Sequence, residues 1–216
     1  EVRFKDAEGK QHRRDGSIVV VRGSKGWSAL VEVKTGAAQL DAAQVSRYLD
    51  LARDNGFDAV LTISNEITAR PEDSPVAVDK RKLRRVALYH LSWWKIVTTA
   101  VLQHRFRGVT DVDQAWILGE LIAYLDHENS GASGFQDMGQ SWVTVREGIL
   151  NGTQRATDAA TRDVVEHWEQ FVDYLSLGMS RDLGRDVSPI RSRKDTLGER
   201  IDAGVRKLTT DGQLAV

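Results

Sequence analysis

The chain has 216 residues, with 30 lysines and arginines against 31 aspartates and glutamates, 41% hydrophobic residues, six tryptophans and no cysteine. That apolar fraction, with a mean hydropathy of −0.38, describes a folded globular chain rather than a disordered one. The missing cysteines exclude disulfides, thiolate metal sites and a cysteine nucleophile, and no apolar run approaches the roughly 20 residues of a membrane span.

The sequence opens at Glu1 with no charged-then-apolar leader pattern. A cytoplasmic setting is expected, with an element lying ahead of Glu1. The near-neutral total hides an asymmetry. Residues 78–107 carry eight cations and one acid, whereas residues 108–190 carry five cations and fourteen acids. A polyanionic partner is therefore compatible with the total charge.

The first 65 residues read as mixed α/β. Residues 2–5 alternate as a short strand, and Asp6-Ala7-Glu8-Gly9-Lys10 has turn chemistry. Ile18-Val19-Val20-Val21 favours a strand, Gly23-Ser24-Lys25-Gly26 a hairpin turn, and 27–34 the return strand, ended at Gly36. Ala42, Val45, Leu49 and Ala52 form an apolar stripe that predicts a helix over 38–55, stopped by Asn55-Gly56. Residues 57–64 read as a buried strand.

Arg70-Pro71-Glu72-Asp73-Ser74-Pro75 reads as a linker. Beyond it come a strand over 86–91 and helices over 93–104, 111–126, 161–177 and 195–208, with a mobile loop over 128–134. Val164, Trp168, Phe171 and Leu175 are expected to share the buried face of the 161–177 helix. Three units follow: a core over 1–70, a basic linker, strand and helix over 71–107 that completes it, and a helical lobe over 108–216.

Alternate side chains of a strand share a face, so Glu32 and Lys34 point one way while Val31 and Val33 point the other. Antiparallel pairing across the hairpin brings Asp15 alongside the far end of the Glu32 strand. Two carboxylates and a lysine then converge, which is what metal-assisted phosphodiester hydrolysis needs. Gln44 and Tyr48 stack on one helical face, turned from the apolar stripe, and can overlook the hairpin. Taken singly, each feature has an ordinary reading as a turn, a cross-strand pair or a surface residue.

Their conjunction in this order resembles the PD-(D/E)XK nuclease superfamily: Asp15-Gly16, then Glu32-Val33-Lys34, then Gln44-Val45-Ser46-Arg47-Tyr48. The Gln-x-x-x-Tyr spacing is similar to that of its RecB-type members. The resemblance spans roughly residues 1–65, and Arg14 stands where the family often has proline. It implies an α/β, restriction-endonuclease-like core of β-meander, helix and strand, with an α-helical C-terminal extension. The family's helix ahead of the meander would lie upstream of Glu1.

The resemblance further implies a Mg²⁺-dependent deoxyribonuclease in which Mn²⁺ substitutes and a 5′-phosphate is left. Asp15, Glu32 and the Val33 carbonyl would hold the metal, Lys34 would orient the attacking water, and Gln44 and Tyr48 would position the site. Lys80, Arg81, Lys82, Arg84 and Arg85 form a cationic run suited to DNA phosphates, extended by Arg105 and Arg107. Trp93 and Trp94 can stack on bases or pack in a core. The alternative is a catalytically inactive scaffold that keeps the nuclease fold and binds nucleic acid or protein. The helical lobe is then a surface for a protein partner or a homodimer.

Overall fold

The computed structural model describes residues 2–5, 11–192 and 195–214. The turn expected over residues 6–10 lies outside the described residues. Strands β1 (Val2–Lys5) and β2 (Gln11–Arg14) form an antiparallel ribbon in which Val2 faces Arg14. After Asp15 the chain continues as β3 (Gly16–Arg22) and returns as β4 (Lys25–Val33). Arg22 faces Lys25, so the turn is the two residues Gly23-Ser24 rather than four. Gly23 takes a φ of +62°, the left-handed position that a primed two-residue turn needs.

Helix α1 (Ala42–Asp54) crosses from β4 to β5 (Ala59–Ser64), which lies parallel to β4, and β6 (Ala87–Ser92) lies parallel to β5. The sheet is mixed and runs in the order β3-β4-β5-β6. Helix α1 starts later than residue 38 because Asp41 caps it, its carboxylate accepting the N–H groups of Ala43 and Gln44. The stripe is buried from Val45 onward but is wider than expected: Tyr48, expected to turn away from it, and Leu51 join Leu49 and Ala52 in packing with Leu30, Val60 and Val86. Ala42, at the first turn, stays exposed. On the opposite sheet face Ala29, Val31, Ala59 and Leu61 are buried together.

The helical part follows β6. Helix α2 (Trp93–Val101) is capped by Ser92 and passes into a π-helical turn over Leu102–Arg107 that stops at Gly108. Helix α3 (Val112–Leu125) is capped by Asp111, and α4 (Trp142–Leu150), which the sequence pattern does not reveal, precedes α5 (Ala159–Leu183). Helix α6 (Leu197–Asp211) begins with a Thr196/Glu199 capping box. Helices α2 and α3 share one core through Val97, Val101, Ile122 and Leu125. Helices α4, α5 and α6 share another through Val145, Val164, Val165, Ile201 and Leu208.

Three further expectations change. Leu175 of α5 is 46% exposed, while Asp173, Ser176, Leu177 and Ser180 are buried. Polar side chains occupy the inward face because they serve an ion network and helix-internal hydroxyl bonds. The 70–75 segment is not a loose linker. Asp73 is 3% exposed and pairs with Arg70 at 3.0 Å and with Arg200 of α6 at 2.8 Å. Burial alone would raise its carboxyl, but hydrogen bonds from Arg70 and Arg200 outweigh that and hold it below the usual carboxylate range. The 128–134 loop is pinned rather than free, because Asn65 donates to the Gly36 and Gly131 carbonyls and accepts from the Ser133 N–H.

Candidate active site

The strand alternation of β4 aims Glu32 and Lys34 at the face covered by α1, and Glu32 is 4% exposed there. Three donors meet its carboxylate. Lys34 Nζ lies 2.6 Å from Oε1, Gln44 Nε2 donates to the same oxygen at 2.6 Å, and the Tyr48 hydroxyl donates to Oε2. Gln44 and Tyr48 reach it together because they stand four residues apart on α1, whose first turn overlies the end of β4. A buried carboxylate needs such neighbours, since an unpaired charge in this position is costly. The Lys34 side chain remains 22% exposed, so the cluster has one open side.

Asp15 enters from the partner strand. Its Oδ2 accepts the Val33 N–H at 2.7 Å, a reach the pairing of Gly16 with Val31 allows. In an extended strand the N–H and C=O of one residue point the same way, so the Val33 carbonyl faces the same edge as Asp15. The structure thus brings Glu32, Lys34, Gln44 and Tyr48 into direct contact and sets Asp15 beside the intervening Val33.

Among the described residues no group of three or more histidine, aspartate or glutamate side chains is arranged to hold a metal ion. The donors on this edge are two carboxylates and one carbonyl. That set suits Mg²⁺, which takes oxygen ligands, is satisfied by one or two carboxylates and keeps several waters. Lys34, Gln44 and Tyr48 use three of the roughly four acceptor positions of the Glu32 carboxylate.

Several supporting residues carry no motif in the sequence. Trp93, the first residue of α2, donates its indole N–H to the Lys34 carbonyl at 2.8 Å. It is partly buried against the α2/α3 core. Glu32, Thr62 and His90 are cross-strand neighbours in one row of the sheet. His90 is fully buried, with Nε2 2.8 Å from the Glu66 carbonyl and Nδ1 2.9 Å from the Thr62 hydroxyl. A carbonyl only accepts, so Nε2 carries the hydrogen, and burial pushes the imidazole pKa down against the pull of Glu66. The Glu66 carboxylate in turn accepts the Leu40 N–H at 3.0 Å, fixing the approach to α1. The sequence signal for Asn65 and Glu66 was their place directly after a buried parallel strand, where α/β sheets gather functional groups.

Beside this edge lies a crevice of about 500 Å³ between the loops at 36–40, 65–68 and 133–137 and helix α5. Glu66, Asp137, Asp163, Glu166 and Glu169 line it, and among the described residues no lysine or arginine does.

The cationic run is only partly available. Lys82 Nζ pairs with Asp50 of α1 at 2.5 Å, and Arg81 pairs with Asp79 at 2.9 Å. Lys80, Arg84 and Arg85 are exposed. The run precedes β6, at the sheet end opposite Glu32, since β4, β5 and β6 are parallel. Five residues of strand at about 3.3 Å each separate the two, on the order of 17 Å. Trp94 is committed to packing, its ring 4.8 Å from that of Tyr174 with the Arg181 guanidinium over it at 4.8 Å. No helix of the described residues is long and apolar enough to cross a membrane. No family model, curated protein or solved structure matches the chain.

Proposed function

We propose that the chain is a metal-dependent nuclease of the PD-(D/E)XK type, acting on DNA, with its chemistry at the end of β4. One observation carries the reading: Lys34, Gln44 and Tyr48 all reach the buried Glu32 carboxylate while Asp15 binds the backbone of the residue between Glu32 and Lys34. A purely structural cross-strand pair needs neither burial nor three donors on one carboxylate. The α/β layout supports it as well, with a strand-helix-strand crossover carrying Glu32, Lys34, Gln44 and Tyr48, and Asp15 lying just ahead of β3, which pairs with β4.

In this reading Asp15, Glu32 and the Val33 carbonyl hold Mg²⁺ or Mn²⁺. A bound cation would acidify its water and offset charge on the leaving oxygen. Gln44 and Tyr48 keep the Glu32 carboxylate in one orientation. Lys34, at the open side, turns from Glu32 toward the scissile phosphate, where it orients the attacking water and stabilises the added negative charge. The duplex approaches from the Asp15 side, away from the acid-lined crevice, and its flank can reach Lys80, Arg84 and Arg85.

The test is a Mg²⁺ and Mn²⁺ titration with linear, circular and single-stranded DNA. Metal-dependent cleavage lost in Glu32→Gln is expected. Salt-sensitive binding without cleavage in either metal would assign the chain to a non-cleaving DNA-binding scaffold.

A further inference from the structure

Helix α3 shows its apolar residues to solvent. Trp116 is 66% exposed and Tyr124 62%, with Val112, Ile117 and Leu121 also open, while Leu118, Ile122 and Leu125 pack on α2. The open side consists of two adjacent columns at four-residue spacing: Val112, Trp116, Glu120 and Tyr124 in one, Asp113, Ile117 and Leu121 in the other. The exposed apolar area is on the order of 500 Å², the upper range for a monomer surface and the range at which patches are often functional.

Two carboxylates stand within this patch. Glu120 lies between Trp116 and Tyr124 in its own column, and Asp113 lies seven residues before it, about 10.5 Å along the axis. Both are exposed. No lysine or arginine occurs between Arg107 and Arg146, whereas Asp111, Asp126, Glu128 and Asp137 add further negative charge. A partner covering the patch must therefore neutralise two acids that it desolvates, because leaving them unpaired would be costly.

A second copy of the chain docking through its own α3 does not do that. Antiparallel pairing of two α3 helices sets Asp113 against Glu120 of the other copy, and parallel pairing sets each acid against itself.

From this we infer that α3 is a docking face for a cationic amphipathic helix of a partner protein, one that carries arginine or lysine at two positions seven apart within an apolar stripe. The apolar columns supply the contact area, and Trp116 and Tyr124 lie about one turn to either side of Glu120, within reach of the cation that meets it. The inference rests on α3 alone and is independent of the chemistry at β4.

The probe is a helical peptide of about 20 residues, long enough to hold its helix, built from leucine and alanine with two arginines seven apart in the leucine stripe. A control peptide has glutamates at those two positions. Binding is read by fluorescence anisotropy of the labelled peptide, with sedimentation of the protein alone. The wild type is expected to bind the arginine peptide and not the glutamate peptide. The surface variant Asp113→Lys/Glu120→Lys should lose at least tenfold for the first and gain the second, and Trp116→Ala should weaken binding with the fold unchanged by circular dichroism. The inference is overturned by absence of binding, by equal binding of both peptides, by indifference to the charge reversal, by self-association through Trp116, or by partition of that patch into neutral lipid vesicles.

Discussion

Replacing Tyr48 by phenylalanine removes a single oxygen from a fully packed helix face and leaves the ring in the core with Leu30 and Leu49. What is lost is the hydroxyl that donates to Glu32 Oε2. Glu32 is 4% exposed, so water does not replace that donor without opening the core. A hydrogen bond to a charged acceptor contributes about 1.5–3 kcal/mol. In a chain of this length each kcal/mol moves the melting temperature by about 2–4 °C, so Tyr48→Phe should lower it by roughly 3–12 °C. Urea unfolding, followed by tryptophan fluorescence and circular dichroism, gives the free energy directly. In a Glu32→Gln background the acceptor is neutral, and the same change should cost about 1 kcal/mol. The difference between the two costs is the coupling between hydroxyl and charge. A Tyr48→Phe variant within about 0.5 kcal/mol of wild type, the range of an inconsequential surface change, would refute the buried three-donor cluster.

Burial holds the His90 imidazole pKa below its ordinary value, so its contribution to stability is complete above about pH 6.5 and is lost as pH falls toward the folded value, by up to about 1.4 kcal/mol per pH unit. Urea unfolding of wild type and His90→Gln across this window should show the steeper acid loss in wild type; parallel curves would contradict it. The comparison with the variant matters because burial raises the Asp173 carboxyl, despite Arg191 and the Ala69 N–H, and that group acts in the opposite sense above the ordinary aspartate pKa. Asn65→Ala removes three hydrogen bonds of 2.9 Å that anchor Gly36, Gly131 and Ser133. It should cost about 1–3 kcal/mol and speed amide exchange at Ser133, whereas unchanged exchange would mean that the loop is held elsewhere. Arg84→Ala/Arg85→Ala should flatten the salt dependence of duplex binding by up to about 0.9 log units per lost phosphate contact, while Lys82→Ala, already paired with Asp50, should change the slope little.

Local chemistry made the first third of the chain readable. The β-branched run at residues 18–21, the glycine turn and the stripe from Val45 to Ala52 each have a period that only one element satisfies, and β3, β4 and α1 follow them. That Gln44 and Tyr48 overlook the hairpin was legible, because helical positions four apart share a face; that both of them donate to Glu32 was not, because it depends on where α1 seats on the sheet. What the pattern hides is set by distant partners. Asp73 looks like a linker residue until Arg200, 127 positions later, reaches it. The 128–134 loop looks mobile until Asn65 holds it. Leu175 keeps the helical period of α5 but faces solvent, because Asp173 is drawn inward by Arg191 and the Ala69 N–H. Trp93 and His90 carry no motif at all. Their roles come from the sheet register and from the seating of α2, which pairwise spacing in sequence does not encode.

The most direct test of the central claim is the initial rate of DNA cleavage in Mg²⁺ by wild type and by Lys34→Ala, with metal binding followed by calorimetry on the same folded proteins. Lysine is not a ligand in this scheme, and its side chain lies 22% exposed at the open side of the cluster. Metal binding should persist in Lys34→Ala while the rate falls on the order of 10²–10³, the usual loss when one electrostatic stabiliser of the transition state is removed. A wild type that cleaves and a Lys34→Ala variant that cleaves equally fast would contradict the account.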